Sequence, residues 1–154
     1  MKLLCRWFLL SSLFVTGLAR AQSTSSMAVH VLPLLNEQML AANAHDTDRF
    51  LGTYLHSPDL IFIANGQIIR GWDSLHEQQL KWWKNGKSDV VYTQQAQPEV
   101  TVLDSRTVLV TQQMTAHRTS PDGKPSDATF IVTTVWRQLP VDWRVTYGHE
   151  SWAR

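Results

Sequence analysis

Cysteine is almost missing from this chain: of 154 residues only Cys5 carries a thiol. A lone cysteine excludes an internal disulfide and a thiolate metal site. It stands before the first apolar run rather than after it, which argues against a lipoprotein anchor. Clusters of Lys and Arg are missing as well. Lys+Arg number 14 against 13 Asp+Glu, and without a basic patch the chain lacks the electrostatic footprint of a nucleic-acid-binding surface. No apolar run reaches the roughly 20 residues that a bilayer-spanning helix needs. There is no internal repeat and no low-complexity tract. His30, His45, His56 and His117 are scattered without metal-ligand spacing. His76-Glu77 opens like a zinc-protease helix, but Leu80 stands where the second histidine belongs. No metal and no cofactor is therefore expected.

What is present begins with an export signal. Lys2 and Arg6 give a positive start, Trp7 to Leu18 an apolar stretch, and Ala19-Arg20-Ala21 a small-x-small cleavage site. Three segments are expected: a signal peptide over 1–21, a flexible lead-in over 22–26, and a single domain over 27–154. The mature domain would be periplasmic or secreted, with no membrane attachment after cleavage. Cleavage removes Cys5 and three cations, moving the formal charge from +1 to −2. The remaining 133 residues are enough to bury a core without disulfides. Twelve aromatic residues survive cleavage, six of them tryptophan, and they suit both a core and a pocket wall.

Periodicity places helices first and strands after. Val31, Leu35, Met39 and Ala42 recur at helical spacing within Met27–Ala44, with Pro33 expected near the start. Asp46 suits the N-cap of a second helix over His45–Tyr54. Leu60–Ala64 and Gln67–Arg70 read as strands joined by Asn65-Gly66, a strong hairpin signal. Trp72–Lys84 reads as a third helix, with Ser74-x-x-Glu77 as its capping box. Strands are expected over Asp89–Gln97, Glu99–Leu103, Thr107–Arg118, Ala128–Gln138 and Trp143–Ser151, the last three as an antiparallel meander. The fold class is α+β, a curved antiparallel sheet with helices packed on its concave face.

The ordered set Asn43-Ala44-His45-Asp46 with Phe50, Ser57-Pro58-Asp59-Leu60, Gly71-Trp72, Phe130–Arg137, Asp142–Val145, His149 and Ser151 resembles the SnoaL-like branch of the nuclear transport factor 2-like superfamily. The resemblance implies a cystatin-like cone that encloses an apolar pocket and often dimerises through its outer sheet face. One departure stands out. Tyr147-Gly148-His149 occupies the place of the His-Asp-His-like cluster on the last strand, so only His149 is kept. Aligned on Asn-Ala-x-Asp, the ketosteroid isomerase roles fall near Gln38, Ile63 and Thr133, none with the chemistry of a Tyr/Asp oxyanion site or a carboxylate base. Steroid-isomerase chemistry is not expected.

Strict alternation along the last strand puts Trp143, Val145, Tyr147 and His149 on the concave face. The same rule puts Gln112 among Val108, Val110, Met114 and Ala116. The expected ligand-binding residues are Tyr54, Phe62, Trp83, Gln112, Tyr147 and His149, around a small, largely apolar molecule. His149 and Tyr147 are the catalytic candidates should the domain be a lyase, isomerase or hydrolase. Asp59 and Asp46 are read as turn and cap residues. A third reading is a non-catalytic module that homodimerises through Thr111, Gln113, Thr115, Thr133 and Thr146. These readings remain open on sequence alone.

Overall fold

A computed structural model describes the backbone of residues 15–120 and 122–153, with side chains from Met27 onward. The expected export signal lies mostly outside the described residues. Helix α1 spans Val15–Asn43, so it passes through 22–26, where a flexible lead-in is expected, and through Pro33. Among the described residues no helix is long and apolar enough to cross a membrane. Helix α2 is only Thr47–Leu51, and Asp46 caps it by accepting a hydrogen bond from the Arg49 amide at 3.1 Å. Strands β1 (Ile61–Ala64) and β2 (Gln67–Arg70) form the expected hairpin. Asn65 and Gly66 both have positive φ, as its tight turn requires. Helix α3 spans Trp72–Trp82 and is preceded by Gly71 with no side-chain cap, so the expected Ser74–Glu77 capping box is not at its start.

Strands β3 (Val91–Gln94), β4 (Glu99–Asp104), β5 (Thr107–Thr119), β6 (Pro125–Gln138) and β7 (Trp143–Trp152) complete one sheet in the order β2-β1-β7-β6-β5-β3. Strand β5 changes neighbours midway, pairing with β4 through its first half and β3 through its second. All pairings are antiparallel except β1 with β7. The C-terminal strand thus sits inside the sheet, between the β1–β2 hairpin and β6. The helices lie across the concave face, and the main core joins Val31 and Leu35 of α1 to Leu75 of α3 and to Val108, Val110, Trp136 and Val145 of the sheet.

One irregularity decides what faces the cone. Val135 pairs with Tyr147, but Trp136 pairs with Val145. Thr146 is therefore an extra residue in β7, a β-bulge that inverts the side-chain phase beyond it. Trp143 and Val145 are buried on the concave side, followed past the bulge by Gly148 and then Glu150 and Trp152. Tyr147 and His149 pair with Val135 and Thr133 on the convex face.

Candidate functional site

A cavity of about 390 Å³ lies between the helices and the sheet. Its walls follow the two periodicities of the fold. Leu35, Gln38, Met39 and Ala42 come from one stripe of α1, and Leu75, Gln79 and Trp82 from one stripe of α3. Alternate residues Ala128, Phe130, Val132 and Thr134 come from β6, and Gln112 and Met114 from β5.

The aromatic rings form a connected belt. Trp152 stacks on Phe130 with centroids 4.3 Å apart, and Tyr92 meets Phe130 edge-on at 6.1 Å. The Trp83 indole N–H donates to the Tyr92 hydroxyl at 3.1 Å, and Phe50 packs edge-on to Trp83 at 5.1 Å. Phe50 continues to Tyr54 at 5.5 Å, Tyr54 to Phe62 at 6.3 Å, and Phe62 to Trp82 at 6.5 Å. Such offset and edge-to-face contacts let aromatic side chains fill a wall and hold one another in place.

The polar side chains of the lining are Gln38, Asn65, Gln79, Gln112, Arg118, Thr134 and Glu150, besides the tyrosines. Gln38 donates to the Thr53 hydroxyl at 2.6 Å, and Trp136 donates to the Thr134 hydroxyl at 2.9 Å. Gln112 is 8% exposed, and its amide faces the cavity with no protein partner among the described residues. Glu150 lies in the lining and accepts a hydrogen bond from the Trp152 indole N–H at 2.5 Å. Burial pushes its carboxyl above the usual carboxylate range, against the opposing pull of the Trp152 hydrogen bond and the Arg118 charge. Burial likewise raises the Tyr54 phenol, with a smaller push from Glu150. Arg118, exposed at the mouth, holds its guanidinium 5.7 Å from the Trp152 ring centroid. A carboxyl with a raised pKa in an apolar cavity can accept a hydrogen bond, oppose a cation or carry a proton.

Of the residues expected from sequence, Tyr54, Phe62, Trp83 and Gln112 line this cavity. Tyr147 and His149 do not. The bulge at Thr146 turns both to the convex face, where His149 is exposed. The expected placement of these two in the cavity wall is therefore corrected. The residue missed was Glu150, which strict alternation puts outside. Among the described residues no group of three His, Cys, Asp or Glu could hold a metal ion.

A curved sheet roofed by helices over an aromatic cavity defines the cone-shaped class of ligand-binding and isomerase-type domains. The chain belongs to the SnoaL-like domain family, whose model matches residues 31–154. An uncharacterized protein with a cystatin-like fold from Caulobacter vibrioides is similar with a TM-score of 0.69 and 19% identity, over 82% of this chain and 89% of that one. A ketosteroid isomerase-like protein from Erwinia carotovora atroseptica gives 0.66 and 17%, over 82% and 95%. The association domain of CaMKII from C. elegans gives 0.68 and 14%, over 84% and 98%. At such identities the likeness concerns the fold alone. No curated protein matches the chain in sequence.

Proposed function

We propose that this domain binds a small, largely apolar molecule inside the cone. The supporting observation is the cavity itself: about 390 Å³, walled by connected aromatic rings and aliphatic side chains, with polar groups such as Gln79, Gln112 and Glu150 set among them. That size lies within the roughly 300–1,000 Å³ of small-molecule sites. Trp82, Trp83 and Trp152 line it, so a bound molecule changes tryptophan emission. Titration with a neutral apolar dye such as N-phenyl-1-naphthylamine should give saturable energy transfer from tryptophan. Ala128→Trp, which fills the cavity from β6, should abolish the transfer while the circular dichroism spectrum is kept. Equal dye binding by wild type and the filled variant would sink the proposal. We also infer from Lys2, Arg6 and the 19–21 cleavage pattern that the domain works in the periplasm or outside the cell. N-terminal sequencing of the mature protein tests this, and an intact Met1 would refute it.

A second reading is compatible with the first. The convex face carries Ile131, 47% exposed, and Ile68, 59% exposed, among Thr111, Gln113 and Thr133. A mixed face of this kind suits a homodimer interface. Of the other two threonines expected there, Thr115 is buried and Thr146 forms the bulge. Sedimentation should show a dimer that Ile131→Lys dissociates; a wild-type monomer at tens of micromolar would exclude it.

A further inference from the structure

We propose that the molecule held in the cone is an organic cation, an ammonium group on an apolar body, with Glu150 as its counter-ion. This rests on the cavity-binding reading and adds the chemical class of the ligand. Three observations carry it.

First, Glu150 is a carboxylate in an apolar enclosure with one protein donor, the Trp152 indole N–H. An ionised carboxylate offers about four acceptor positions, so most of its capacity is unmet by the described residues. Among the described residues no salt bridge reaches it, and Arg118, the cation of the lining, acts on it only through its charge at longer range. Glu150 is half-buried; a charge drawn out of water without an ion-pair partner is costly, and a cationic ligand is a partner that offsets the cost.

Second, four aromatic side chains of the lining stand near Glu150. Trp152, Phe130, Tyr92 and Trp83 follow one another in contact. Aromatic faces carry the negative end of a quadrupole, so they attract a positive group that lies against them. Carboxylate and ring faces therefore favour the same sign of ligand.

Third, the wall already holds a cation at its mouth. The Arg118 guanidinium stands 5.7 Å from the centroid of the Trp152 ring, within the roughly 6 Å range of a cation–π contact. Arg118 is exposed, so its charge is screened by water in a way a ligand inside would not be.

The experiment compares three probes of similar shape on the full chain by titration calorimetry. Benzyltrimethylammonium is the cation, neopentylbenzene its uncharged isostere, and phenylmethanesulfonate the anion. The cation should bind at least tenfold more tightly than the isostere, and the anion most weakly. In Glu150→Gln the preference should fall below threefold, with the loss falling on the affinity for the cation. Glu150→Met, of similar length, replaces that variant if the glutamine form does not fold. An isostere as tight as the cation, a tightest-binding anion, or a preference that survives in the Glu150 variants would overturn the proposal. Where the neutral probe binds in those cases, the cavity reading stands. If no probe binds, both fall together.

Discussion

Replacing Gly148 by alanine asks directly which way the last strand faces. Gly148 pairs with Phe62 on β1 and Thr134 on β6. A Cβ built there would stand 2.6 Å from both Cδ2 and Cε2 of the Phe62 ring and 3.6 Å from the Thr134 methyl. Carbon atoms rest at about 3.5–4.0 Å, so the overlap with the ring is about 1 Å. Overpacking of this kind costs about 1–3 kcal/mol. Against it stands a gain of about 0.5–1 kcal/mol from replacing a strand glycine with alanine. The net expectation is a loss of about 1–2 kcal/mol, or a fall in Tm of roughly 4–8 °C for a domain of this length. Thermal and urea unfolding followed by circular dichroism measure it. Because the clash is with one ring, the loss should shrink by about 1 kcal/mol when Gly148→Ala is made in a Phe62→Leu background. If Gly148→Ala is neutral or stabilising, or its cost does not depend on Phe62, then Gly148 faces outward. The bulge at Thr146, and with it the placement of Glu150 in the cavity, would then be wrong.

Three further outcomes are expected. His149→Ala should change stability by no more than about 0.5 kcal/mol, as for an exposed position, and leave dye binding intact; a loss of binding would put His149 back in the cavity. The Glu150 carboxyl has a higher pKa folded than unfolded, so the native state binds more protons and the wild type loses stability as pH rises through that raised pKa. The Tm of Glu150→Gln minus that of wild type should accordingly increase from pH 4 to pH 7, and a constant difference refutes the buried carboxyl. Asp46→Ala removes the cap that receives the Arg49 amide and should cost about 1 kcal/mol in urea unfolding; no change would mean that α2 is held by packing alone.

The element order was legible because each element carries its own local signal. Asn65-Gly66 dictates the hairpin, Asp46 caps α2, and the long alternating runs of β5 and β6 match their register along most of their length. Four of the six expected pocket residues follow from the same rules, since Gln112 obeys simple alternation and Trp83 closes α3. Tyr147 and His149 fail for a single reason. A bulge shifts phase by one, and Val145-Thr146-Tyr147 contains no glycine or proline to announce it. One signal was available. Beyond Thr146 the inward set of the bulged strand is Gly148, Glu150 and Trp152, and a glycine set against bulky neighbours often marks a close approach of another side chain. Pro33 shows the reverse limit: a residue that usually marks a helix boundary lies inside α1.

The position of β7 sets the order in which the molecule can be completed. Strand β7 is inserted between β1 and β6, so the hairpin formed by residues 61–70 has no sheet to join until residues 143–152 are available to pair. Helices α1 and α2 and the hairpin are all complete before more than half of the chain, from residue 71 onward, is made. Long-range pairing of this kind closes slowly and leaves an open intermediate accessible to chaperones. A chain halted before Trp143 should expose that intermediate, and a synthetic peptide of residues 143–152 supplied from outside is the piece that would close it.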